Sequence, residues 1–145
     1  MRKRRTTCGF VLLGATMLAL LAAPPRAQAE VAVEGGIFAS RGTSSAGGGF
    51  SLGILAVPVM PVHLDLSVAV AGNAGAAGTL DLRFGNGTTL GAGLGIGNLG
   101  ASATSGILYD ALLAQSIAPH TAIETRVYFG PRRSSTLFAG LRVSF

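Results

Sequence analysis

The chain has 145 residues, with 11 Lys+Arg against 6 Asp+Glu and a formal charge of +5. With charged residues at only 12%, hydrophobic residues at 49% and 22 glycines, it is neither a basic disordered tail nor a charge-rich soluble domain, so nucleic-acid binding is not expected. A single Cys excludes an internal disulfide framework and a Cys-rich zinc site, and two His leave little for another metal centre; no metal and no cofactor are expected.

The N-terminus carries Arg2, Lys3, Arg4 and Arg5, an apolar run from Phe10 to Ala23, then Pro24, Pro25 and the small-residue pattern Ala27-Gln28-Ala29. Basic, apolar and cleavable regions in that order predict a secretory signal peptide over 1–29, with one domain over 30–145. The apolar run is short for a bilayer-spanning helix, which needs about 20 residues. Removal of this segment takes Arg2, Lys3, Arg4, Arg5 and Arg26 with it. Six arginines (41, 83, 126, 132, 133, 142) and six acids (30, 34, 65, 81, 110, 124) then remain, and the mature chain is neutral.

From Glu30 onward the dominant pattern has period two, the mark of strands whose two faces meet different surroundings. Glu30 to Ser40 and Gly48 to Val57 alternate loosely. Val62 to Ala71 is the clearest case: Val62, Leu64, Leu66, Val68 and Val70 lie on one face, and His63, Asp65, Ser67, Ala69 and Ala71 on the other. Pro58, Pro61, His63 and Asp65 exclude a transmembrane helix there, because charge at mid-membrane is costly. Leu80, Leu82 and Phe84 alternate with Thr79, Asp81 and Arg83. Leu90, Ala92, Leu94 and Ile96 alternate with Gly91, Gly93, Gly95 and Gly97. Gly106 to Ser116 reads either as a helix, since Ile107, Leu108, Ala111, Leu112 and Gln115 could share a side, or as a strand with Tyr109 outward and Asp110 inward. The strand is preferred because an even count returns the chain to its starting side. Ile123, Thr125, Val127 and Phe129 alternate with Glu124, Arg126 and Tyr128, and Leu137, Ala139, Leu141, Val143 and Phe145 with Phe138, Gly140, Arg142 and Ser144.

Short turns are predicted near Pro58 to Pro61, at Gly85-Asn86-Gly87 and near Ile117 to Thr121, Asn-Gly being a strong hairpin signal. Longer Gly/Ser-rich connections are predicted at Arg41 to Gly47, Gly72 to Ala77, Asn98 to Ser105 and Gly130 to Ser135. Long and short alternate, the asymmetry of an outer-membrane barrel.

The signal-peptide pattern, the eight alternating segments, the loop pattern and the terminal Leu141-Arg142-Val143-Ser144-Phe145 together resemble the small eight-stranded outer-membrane β-barrels of Gram-negative bacteria. The resemblance implies an all-β, antiparallel, up-and-down transmembrane barrel and outer-membrane localisation. It also implies that the barrel-assembly machinery reads Phe145 as an assembly signal. The absence of Trp departs from the class. Phe50, Tyr109 and Phe129 at the external rim and Phe84 and Phe145 at the periplasmic rim give thin aromatic girdles. A barrel of this size is filled by its own side chains.

On the inward face the pattern places Glu34, Asp65, Asp81, Asp110 and Glu124 with Arg83, Arg126 and Arg142, an interior polar network in which Asp65 is expected near Arg83 and Glu124 near Arg142. A proton or ion path is the alternative use of these groups. Gly91, Gly93, Gly95 and Gly97 leave one wall bare, facing Asp110 and Tyr128; this reads either as room for neighbouring side chains or as a ligand crevice. Gly95 to Gly100 matches G-x-G-x-x-G, but no βαβ unit surrounds it. His63, Asp65 and Ser67 share a face with the acid in the middle, the wrong order for a triad. Arg41, Arg132 and Arg133 fall in external loops, where contacts to lipopolysaccharide phosphates compete with simple solvation. The reading that results is a monomeric outer-membrane barrel with a filled lumen, embedded in outer-membrane lipid and lipopolysaccharide, with a structural or surface-interaction role and no catalysis. A lipid- or small-ligand-handling barrel, carrier or lipid-modifying enzyme, and a soluble secreted β-protein are the alternatives.

Overall fold

A computed structural model of the chain describes residues 29–57, 62–72, 75–99 and 104–145. Eight antiparallel strands run β1 (Ala29–Ser40), β2 (Thr43–Val57), β3 (Val62–Ala71), β4 (Gly75–Phe84), β5 (Thr88–Gly97), β6 (Gly106–Ala118), β7 (Thr121–Phe129) and β8 (Ser135–Ser144). Each pairs with its sequence neighbours, and β1 pairs with β8, so the sheet closes into an up-and-down barrel with no free edge strand. The ambiguous segment is β6, a strand with Ile107, Tyr109, Ala111 and Leu113 exposed and Leu108, Asp110, Leu112 and Ala114 buried.

Two faces with period two explain the closure. Cross-strand registry joins Val31, Leu52, Leu66, Leu80, Leu94 and Tyr109 into one continuous apolar row around the outside. Leu66 in that row is 55% exposed, whereas Asp65 beside it is 1% exposed. Apolar side chains therefore face the surroundings and ionised ones face the lumen, the reverse of a protein folded in water.

The predicted alternation of long and short connections holds from Gly85 onward, with Gly85 to Gly87 and Pro119-His120 short and Asn98 to Ser105 and Gly130 to Ser134 longer, but fails before it. Arg41 and Gly42 alone link β1 to β2, because Thr43 to Gly47 continue the hairpin, pairing with Ser40 to Gly36. Gly42 has a φ of +76°, which lets the chain reverse that tightly. β4 begins at Gly75, which absorbs half of the second expected loop. At the other end β6 runs on to Ala118, leaving Pro119 and His120 as the turn. The turn at 58–61, the residues 100–103 of the longest connection, Gly100 of the glycine motif and all but the last residue of the signal segment over 1–29 lie outside the described residues. Extension of β2 also moves Phe50 to mid-strand, paired with Val33 and Val68, so it lies within the apolar band and not at its rim. Tyr109 and Phe129 pair directly near the end of β7, and Phe84 closes β4.

Candidate functional site

The two ends of the barrel differ: one holds both Ala29 and Phe145, and the other holds the Arg41-Gly42 turn and the segment around Pro131. Between them the inward side chains fall into three layers.

The middle layer is ionic. Glu34, Asp65, Asp81, Asp110 and Glu124 meet Arg83, Arg126 and Arg142, and all eight are buried. Arg126 is the hub: Nη1 lies 2.9 Å from Asp81 Oδ2 and 3.2 Å from Asp110 Oδ2, and Nη2 lies 2.8 Å from Glu124 Oε1. Arg83 places Nη2 2.9 Å from Glu124 Oε2, and its Nε is 2.9 Å from Asp65 Oδ2. The latter is an ion pair without an aligned hydrogen bond. Arg142 donates from Nη1 to Glu34 at 2.8 Å and from Nη2 to Asp65 at 3.0 Å. The expected pairing of Asp65 with Arg83 is present. That of Glu124 with Arg142 is not: Arg142 registers with Ala122 across β7, while Glu124 registers with Gly140. Arg142 turns instead across the β1–β8 seam to its register partner Glu34, leaving Glu124 to Arg83 and Arg126.

The layer facing the Arg41 end is apolar. Phe38 and Phe138, opposed across the seam, bring their rings to 4.8 Å, and Tyr128 lies 6.3 Å from Phe38. Ala69, Ala71, Ala77, Leu99 and Leu108 pack with them. Arg126 stacks its guanidinium 5.7 Å from the Tyr128 ring centre, joining the two layers. The aromatic layer was readable in phase with the charges, since Phe38 follows Glu34 and Phe138 precedes Arg142 by an even number of positions.

The third layer, at the end holding the chain termini, is a polar cavity of about 260 Å³ lined by His63, His120, Glu30, Asn86, Ser116 and Ser144 among others, with Asp65, Arg83 and Arg142 also on its wall. His63, Asp65 and Ser67 do face inward, but Ser67 Oγ donates to Asp81 Oδ2 at 2.8 Å and not to the histidine, so no hydrolytic arrangement forms.

The glycine wall does not open a crevice. A Cβ on Gly93 would collide with Asp81 Oδ1 and Asp110 Oδ1, one on Gly91 with Leu112, and those on Gly95 and Gly97 with Thr79 and Ala77. Neighbouring strands lean into the space the glycines leave. Asp110 does register with Tyr128, but Asp110 packs over Gly93 and Tyr128 joins the aromatic layer. Accordingly Gly93→Val is expected to destabilise the barrel by about 1–3 kcal/mol through overpacking. Gly35→Val, on the outer face with open space around the new Cβ, should stay within about 0.5 kcal/mol. Urea midpoints of the two variants check this, and equal midpoints would contradict a filled wall.

At the opposite end Arg41, Arg132 and Arg133 are all exposed. Arg132 (φ 56°, ψ 33°) and Arg133 (φ 59°) stand in the left-handed region, in a turn closed by Ser134 N–H to the Pro131 carbonyl at 3.2 Å. A turn with positive φ at both central positions favours Asn-Gly. Holding two arginines there costs about 1–2 kcal/mol per residue.

No family model matches the sequence, and no curated protein matches it. Among solved structures, the N-terminal β-barrel domain of Pseudomonas aeruginosa OprF superposes with a TM-score of 0.52 at 19% identity, covering 83% of this chain and all of that one. Neisserial surface protein A, NspA (TM-score 0.43, 16% identity, covering 81% and 96%), is similar. So is Ail, the attachment invasion locus protein of Yersinia pestis, solved with the heparin analogue sucrose octasulfate (0.46, 12%, covering 82% and 99%). The eight-stranded closed antiparallel fold is thus shared with the OprF barrel domain.

Proposed function

From that shared architecture we propose that the chain is an outer-membrane barrel with a side-chain-filled lumen, serving a structural or surface-interaction role without catalysis. The observation that carries this reading is the buried ionic layer. Three guanidinium groups and five carboxylates interlock across the middle of the barrel, where an open pore would hold water. An outward row of leucines supports a lipid environment, since it would otherwise be a contiguous apolar patch in water. Outer-membrane lipid is then the principal partner. Phe145 projects outward (76% exposed) and ties the chain end to β1 through its N–H to the Val31 carbonyl at 2.8 Å, a placement in keeping with a final-strand aromatic read by the assembly machinery.

Reconstitution into planar bilayers tests the closed lumen. The folded barrel, verified by heat-modifiable gel mobility, is expected to give no steady open-channel current, and long-lived conductance steps in wild-type protein would overturn the reading. The polar cavity with His63 and His120 favours one second use, the handling of a small polar ligand at the end holding the chain termini.

A further inference from the structure

We propose that the Arg41 end of the barrel is a docking surface for phosphate groups of the surrounding outer-leaflet glycolipid, with Arg132 and Arg133 as its preformed clamp and Arg41 as its third contact. This rests on the outer-membrane reading above and extends it to a particular partner chemistry.

Charge placement comes first. All six acids of the chain are Glu30, Glu34, Asp65, Asp81, Asp110 and Glu124. Five are inside the barrel, and Glu30 lines the cavity at the opposite end. The Arg41 end therefore has three guanidinium groups and no carboxylate to pair with them. Adjacency is the second observation. Ser40, next to Arg41, registers with Thr136, and its Oγ lies 3.4 Å from the Ser135 carbonyl, so the β1–β2 turn and the Pro131–Arg133 segment are neighbours around one sector of the rim.

The third observation is backbone strain. The Arg132-Arg133 turn is braced on both sides: Gly130 N–H bonds the Ser134 carbonyl at 2.8 Å, and Ser134 Oγ bonds the Pro131 carbonyl at 2.9 Å. Pro131 lies so close over Gly106 that a Cβ there would strike its ring. A braced turn needs no arginine, and its geometry favours other residues. Strained backbone that is held in place points to a task for the side chains it carries. Two adjacent guanidinium groups on a rigid turn offer paired hydrogen-bond forks, which match the oxygens of a phosphate and lose little freedom on binding. The occupant favoured is a phosphorylated headgroup of the adjacent leaflet, because the turn sits directly at the end of the apolar outer wall formed by Phe129 and Tyr109.

The test uses the folded mature protein in detergent micelles doped with bisphosphorylated lipopolysaccharide, with the dephosphorylated glycolipid, inorganic phosphate and a soluble sulfated polysaccharide as separate probes. Wild type is expected to bind the phosphorylated glycolipid, with affinity falling about fivefold for each charge removed in Arg132→Gln, Arg133→Gln and Arg41→Gln. Arg132→Lys/Arg133→Lys should lose less than the glutamine pair. The decisive variant is Arg132→Asn/Arg133→Gly. It should raise the unfolding midpoint, by relieving the turn, while lowering glycolipid affinity as far as the glutamine pair does. Unchanged affinity in the glutamine variants, an unchanged midpoint in the Asn-Gly variant, or equal binding of the dephosphorylated glycolipid would overturn the proposal. So would tighter binding of the sulfated polysaccharide or free phosphate than of the glycolipid. Loss of heat-modifiable mobility in wild type would instead remove the outer-membrane reading itself, which keeps the two failures apart.

Discussion

Arg126→Met is expected to lower the stability of the folded barrel by about 3–5 kcal/mol, the cost of leaving buried charge without its partner. Methionine keeps much of the side-chain length but none of the charge, so lost packing is kept small. Arg126 is fully buried and serves Asp81, Asp110 and Glu124 at once. The lumen already contains two more carboxylates than guanidinium groups, and removal of the hub widens that excess. Asp81 Oδ1 and Asp110 Oδ1, which have no hydrogen-bond partner among the described residues, are the atoms that can least tolerate it. Urea titration of the compact, unheated gel species gives the measurement. Adding Glu124→Gln to Arg126→Met should recover part of the loss, because one orphaned charge is removed. A stability change under about 1 kcal/mol in the single variant would show that Arg126 is not the hub described.

Leu66→Arg is expected to cost about 2–4 kcal/mol in a lipid bilayer, and Leu90→Arg, near the start of β5, about 0–1 kcal/mol. Leu66 stands in the row that joins Leu52 to Leu80 around the outside. Leu90 pairs with Phe84, at the last position of β4. Dependence on depth is the signature of a hydrocarbon slab. In a water-soluble barrel both substitutions would lie on a wet surface and would be harmless or would improve solubility. Refolding into vesicles at graded urea separates these outcomes, and equal costs at the two positions would end the membrane reading.

The architecture was legible because period-two alternation records two solvents. Val62 to Ala71 states it outright, with Leu66 outward and Asp65 and Ser67 inward. Even β6, which has good helix formers, became a strand once its neighbours offered Leu94 and Phe129 to its outer face. The connections at Gly85 to Gly87, Asn98 to Ser105 and Gly130 to Ser134 were legible, whereas the lengths of those at Arg41 and Gly72 were not. Thr43-Ser44-Ser45-Ala46 has the composition of a loop, but small side chains fit a hairpin as well as they fit a coil, and the ladder to β1 satisfies their backbone groups. The membership of the ionic layer followed from phase alone, but its pairing did not. Register decides whether Arg142 meets Glu124 or Glu34: with Phe129 opposite Ser135, Glu124 comes to face Gly140, two positions short of Arg142, a slip that a correctly placed connection still leaves open. The glycine wall failed for a related reason: a missing side chain at Gly93 is visible in sequence, whereas Asp81 and Asp110 entering that space from adjacent strands are not.

Arg142 joins the final strand to Glu34 on the first and to Asp65 on the third. Its position in the chain therefore makes the ionic layer a test of completeness. A chain synthesised only as far as β7 would hold five inward carboxylates against two guanidinium groups and would have an open seam. The third guanidinium group, which lowers the carboxylate excess from three to two, and ring closure thus arrive together with the last strand.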